Sequence, residues 1–76
     1  MLEVVSFSIA TQGDLEALAH IISQDPPSSA DIRCMPGSEF CIRAKELFER
    51  AQVPSQWVGN SPEAAHVSLN YRRMVP

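Results

Sequence analysis

The sequence predicts a small α/β domain of the α+β kind, a two-layer sandwich in βαβαββ order. Two helices would lie on one face of a four-stranded mixed sheet, in a ferredoxin-like or related arrangement. Two observations predict the elements. Three segments alternate apolar and polar residues with period two, and two others carry apolar residues at helical spacing. A third predicts the layering: the alternating strands have one apolar and one polar face, whereas strands covered on both sides read as nearly continuous apolar runs.

The first strand is expected over Glu3 to Ala10, with Val5, Phe7 and Ile9 on one side and Val4, Ser6 and Ser8 on the other. Thr11-Gln12-Gly13-Asp14 then has the form of a capping box. The threonine oxygen can accept from a free helix amide, and Asp14 complements the positive end of the helix dipole. In the helix that follows, Leu15, Leu18, Ala19 and Ile22 form the apolar stripe, with Ile21 beside it and His20 opposite. Pro26 disfavours helical geometry at Asp25, and Pro26-Pro27-Ser28-Ser29 makes a stiff connector.

Ala30 to Met35 alternates again, placing Ala30, Ile32 and Cys34 inward and Asp31, Arg33 and Met35 outward. Pro36-Gly37 breaks the strand and Ser38 is positioned to cap a second helix. Its stripe is Phe40, Ala44, Leu47, Phe48 and Ala51, with Arg43, Glu46 and Arg50 along the outer side. Val53-Pro54 ends it. Gln56-Trp57-Val58 is a short third strand, Ser61-Pro62-Glu63 reads as a cap and a single helical turn, and His66 to Met74 is the fourth strand. In that strand Val67, Leu69 and Tyr71 point inward, and Ser68, Asn70 and Arg72 outward.

The whole chain, residues 1–76, is read as one domain. A core of this size rarely supplies more than roughly 3–5 kcal/mol, so disulfides, a metal or a partner subunit are common supplements. Pairing with a second subunit is the expected one. The apolar fraction of 45% places the chain among folded domains rather than disordered segments. Nine acidic against six basic residues give a net charge of −3, which does not suit nucleic acid or an anionic membrane. No apolar run approaches the ~20 residues of a spanning helix, and Met1-Leu2-Glu3 lacks the basic start of a secretory signal. Cytoplasmic residence is expected, where two cysteines would ordinarily stay reduced.

Cys34 and Cys41 are the leading chemical candidates. Cys34 closes the second strand and Cys41 lies in the first turn of the second helix, where the dipole favours a thiolate. The stretch Cys41-Ile42-Arg43-Ala44-Lys45-Glu46-Leu47-Phe48, with Val53-Pro54 downstream, resembles the cysteine-helix segment of glutaredoxins. It departs from that family where the chemistry lies, with Cys-x6-Cys in place of Cys-x2-Cys. Both positions also sit on or beside the apolar faces, so ordinary buried thiols account for them equally.

A second candidate is a small-anion or nucleotide site. If the first two strands are parallel, Thr11, Gln12 and Gly13 come to the same end of the sheet as Gly37 and Ser38, and both helix N-termini point there. The plainer account is that these residues cap their helices. His20 and His66 have no ligand spacing with the cysteines, so neither a metal nor another cofactor is expected. No Gly-x-Ser-x-Gly elbow is present. Arg72-Arg73 on an open sheet face lacks the stacking aromatics of RNA-binding sheets, and reads instead as charge protecting a sheet edge.

Ile42, on the charged side of the second helix, and Trp57 are candidate interface anchors. The functional expectation is therefore a non-enzymatic, accessory protein-interaction module, either a homodimer or the partner of another protein. The alternative is a thiol-dependent redox protein using Cys41 and Cys34.

Overall fold

The computed structural model describes residues 1–73, and its elements follow the expected order. Strand β1 spans Leu2–Ile9, helix α1 Gln12–Gln24, β2 Ser29–Arg33, α2 Glu39–Arg50, β3 Ser55–Gly59 and β4 Ala65–Arg72. The last expected strand residue, Met74, lies outside the described residues. At Ser61-Pro62-Glu63 the chain bends without forming the expected helical turn. A cap and a proline permit a helix to start, but no apolar stripe follows to hold one.

The sheet order is β1-β4-β2-β3. β4 runs antiparallel to both β1 and β2, so β1 and β2 are parallel to each other with β4 between them. β2 and β3 pair in parallel through α2, with a register shift between Ile32 and Arg33. The architecture is thus the expected two-layer sandwich. It is related to the ferredoxin-like fold through its split β1-α1-β2 unit, and differs in that α2 joins neighbouring parallel strands.

Both helices cover the same face. One buried cluster takes Leu15, Leu18 and Ile22 from α1, Ala44 and Phe48 from α2, Ala30 and Ile32 from β2 with Cys34 just beyond its end, and Ala65, Val67, Leu69 and Tyr71 from β4. All the strand members share the inward parity. β4 is the spine of the sheet, which corrects the reading of Arg72-Arg73 as edge protection. The residues sit at the end of a central strand, where Arg73 instead clamps three segments. Its guanidinium meets Asp25 at 2.8 Å and Glu3 at 3.1 Å and lies 4.8 Å from the centre of the Tyr71 ring. Bonds from Asp25 first, and then Glu3, raise its pKa. Burial first, and then the charge of Asp25, raises that of Tyr71, whose hydroxyl donates to the Asp25 carbonyl at 2.9 Å.

β1 is an edge strand, and this limits its burial. Ile9 is fully enclosed, Phe7 only half-buried, and Val5 remains 38% exposed although it points to the helical side. Across β4, β2 and β3 the open face of the sheet carries a bonded polar cluster. Asp31 accepts from Gln56 at 2.9 Å and Asn70 at 3.3 Å, and Asn70 also donates to Ser29 at 3.2 Å.

Candidate functional site

Two places gather chemistry or exposed apolar surface: the junction of β2 with α2, and the free edge of β1.

At the first, Cys34 and Cys41 are joined in a disulfide, with Cα atoms 5.7 Å apart. This corrects the expectation of two reduced, ordinary thiols: neither cysteine of the chain is free. The local sequence brings them together. Pro36-Gly37 turns the chain, the Ser38 amide donates to the Met35 carbonyl at 3.0 Å, and the Ser38 hydroxyl accepts from the Cys41 amide at 3.0 Å. Cys41 therefore stands on the first turn of α2, directly over the end of β2. The bond has an inner and an outer half, since Cys34 is fully buried and Cys41 only partly so. Trp57 adjoins it, its indole Nε1–H donating to the Cys34 carbonyl at 2.8 Å while half the residue stays exposed.

Both helix N-termini do lie at one end of the sheet, because β1 and β2 are parallel. Thr11 and Ser38 act there as caps. The Thr11 hydroxyl accepts from the Asp14 amide at 3.2 Å, and the Asp14 carboxylate accepts from the amides of Ala10 at 2.9 Å and Thr11 at 3.1 Å. Those bonds, led by the one from Ala10, hold the Asp14 carboxyl below the usual carboxylate range. The entrance to α1 already faces a negative charge of its own. Gln12 is turned toward α2, where it accepts from Arg43 at 3.0 Å. Gly13 and Gly37 bring no further polar side chain to the two termini. His20 is exposed, and His66 shares a hydrogen bond of 3.0 Å with Ser8 on the open face. Among the described residues no three His, Cys, Asp or Glu side chains gather as a metal site would require. Nor is any described helix long and apolar enough to cross a membrane.

At the second place, β1 presents an edge of eight residues that is unpaired among the described residues. Met1 and Arg73 exchange both backbone bonds, at 3.1 and 3.0 Å. The alternation of an antiparallel ladder then directs the amides and carbonyls of Glu3, Val5, Phe7 and Ile9 toward β4. Those of Leu2, Val4, Ser6 and Ser8 point out of the sheet. The same strand carries exposed apolar side chains, with Leu2 at 61% and Val4 at 52% exposure. β1 contains no proline, lysine or arginine, and its register with β4 is uninterrupted. Of the devices that usually blunt an edge it has one charge, Glu3, and that carboxylate is taken up by Arg73. The opposite edge, β3, is shorter and begins directly after Pro54.

The expected anchors Ile42 and Trp57 are exposed at 52% and 50%. They belong to different elements, and neither adjoins the β1 edge in the sheet order. Nothing in the sequence singles out the exposed β1 residues, because alternation marks a strand without marking it as an edge. Compared with known protein families, curated proteins and solved structures, the chain matches none.

Proposed function

We propose that this chain is a non-enzymatic protein-interaction module that acts through the free edge of β1. The carrying observation is that edge itself: four residues with outward backbone donors and acceptors, the exposed Leu2 and Val4 among them, in a strand without lysine, arginine or proline whose one charge, Glu3, is paired with Arg73. A strand in this condition is a template for a further strand, with the ladder supplying affinity and alternate side chains supplying selectivity. To test it, a photo-crosslinking residue is placed at Val4 in cells that make the protein. A discrete adduct that is lost when the probe is moved to His20, on the exposed side of α1, is the expected result. Absence of any adduct from Val4 would remove the reading.

A second reading is favoured by the bonded cysteine pair: a thiol–disulfide exchange protein. Cys41 is the partly exposed residue of the pair and Cys34 the buried one, so attack by an outside thiolate is expected at Cys41. Attack there breaks the Cys34–Cys41 bond, forms a mixed disulfide and leaves Cys34 as thiolate. A second thiolate of the reductant then attacks the mixed disulfide and releases Cys41, so a dithiol gives up two electrons and becomes a disulfide. Cytoplasmic residence goes with this reading, because a reducing compartment makes such a bond transient, while an oxidising one makes it a permanent staple. The reduction potential separates the two: a value well below about −300 mV belongs to a structural staple, and one near −200 mV to an exchanging pair.

A further inference from the structure

We infer that the occupant of the β1 edge is a second copy of this chain, joined antiparallel about a two-fold axis through Val5 into a continuous eight-stranded sheet. The inference rests on the interaction reading above and names its partner.

The register follows from the backbone. Only Leu2, Val4, Ser6 and Ser8 direct amides and carbonyls outward, so these must be the hydrogen-bonded residues of any antiparallel pairing with a copy. Symmetric registers centred on Val4 or Ser6 match three of the four. Centring on Val5 matches all four, setting Leu2 against Ser8 of the copy and Val4 against Ser6, with eight backbone bonds in total. Val5 then meets its own equivalent as the close, non-hydrogen-bonded pair.

The side chains agree with this register. Glu3 is the only charge in the strand, it is already held by Arg73, and it falls opposite Phe7 of the copy, so no like charges meet. On the helical side, Glu3, Val5 and Phe7 are the inward-parity positions that α1 and α2 leave incompletely covered. A two-fold perpendicular to the sheet puts both helical layers on the same side. Val5 and Phe7 of each copy thereby extend the apolar layer across the junction. The core of a chain this short is small, and pairing adds burial that it cannot obtain alone.

Light scattering on the intact 76-residue chain should give twice the chain mass at concentrations up to about 1 mM. Val4→Pro removes an outward amide without touching the β1–β4 ladder, so circular dichroism should be unchanged while the dissociation constant rises roughly 10- to 100-fold. Val5→Cys should give a disulfide-linked dimer under mild oxidation, because close antiparallel pairs suit that bond, while Ser8→Cys, facing Leu2, should not. A monomeric chain throughout that range overturns self-pairing, as does a dimer that cross-links through Ser8→Cys and not Val5→Cys. If the chain is monomeric and the Val4 probe traps a different protein, the interaction reading stands and self-pairing fails. If that probe traps nothing, both fail.

Discussion

The indole nitrogen of Trp57 and the carbonyl oxygen of Cys34 stand 2.8 Å apart, so the edge strand β3 is fastened by a side-chain bond to the residue that carries the inner half of the disulfide. Beside it the Cys34 amide donates to the Gly59 carbonyl at 3.0 Å, and farther along the strand Gln56 donates to Asp31 at 2.9 Å. Trp57→Phe keeps a large ring and deletes the donor, leaving the Cys34 carbonyl without that partner. A loss of about 0.5–1.5 kcal/mol is expected in urea unfolding. Unchanged stability would mean that water replaces the indole at no cost.

Removing the disulfide should cost more. The bond joins residues seven positions apart, and closing a loop of that length restricts the unfolded chain by about 2–3 kcal/mol in the chain-entropy account. Against a total of roughly 3–5 kcal/mol for a core of this size, most of the margin is at stake. Urea midpoints with and without reductant check this, with a Cys34→Ala, Cys41→Ala double variant as control. Because Trp57 touches Cys34, its fluorescence should shift on reduction even where circular dichroism shows the chain still folded. A midpoint unmoved by reductant would show that packing, and not the bond, holds β2 to α2.

The capping box at α1 makes a pH-dependent contribution with a definite sign. Asp14 has its pKa lowered from the ordinary 3.8, chiefly by the Ala10 amide. A carboxylate with a depressed folded pKa contributes stability that is fully present above the unfolded value and is lost as pH falls through the folded one. Acid unfolding below pH ~4 should therefore be less steep in Asp14→Asn than in the parent. An NMR titration of the Asp14 carboxyl supplies the direct check, and an ordinary value there would remove the effect. Thr11→Ala, which deletes the partner cap, should cost about 1 kcal/mol at neutral pH.

These helix ends were legible in the sequence because their chemistry is local. Thr11 and Asp14 are three residues apart, as are Ser38 and Cys41, and each pair bonds as the spacing implies. Facing was legible for a similar reason: Ala30, Ile32 and Cys34 lie inward because parity fixes the side of every strand residue. Strand order was not legible, since it depends on partners up to 70 positions away, as in Leu2 opposite Arg72. Hence the sequence puts Arg72 and Arg73 at an edge when β4 is central, and carries no local signal that Leu2 and Val4 lie on the real one. The disulfide lies between these cases. Periodicity puts each cysteine on or beside the apolar face, but their meeting depends on the Met35–Ser38 turn folding Cys41 back over the end of β2.

The end of α2 offers a stabilising substitution whose effect can be reasoned from geometry. Gln52 has φ of 59°, and is the sole described residue other than glycine with positive φ. The bonds around it explain why: the Gln52 amide donates to the Glu49 carbonyl at 3.1 Å and the Val53 amide to the Phe48 carbonyl at 2.9 Å. This is the pairing of a Schellman ending, with Val53 buried as its apolar plug. A side chain in the left-handed region costs roughly 1–2 kcal/mol, which glycine avoids. Glycine also loses more backbone freedom on folding, which takes back roughly 0.5–1 kcal/mol. Since Gln52 is exposed and surrenders no buried contact, Gln52→Gly should be stabilising on balance, by about 0.5–1 kcal/mol, whereas Gln52→Val should destabilise. Thermal unfolding of the two variants beside the parent decides it, and a Gln52→Gly chain that melts below the parent would show that the turn is not held in the left-handed region.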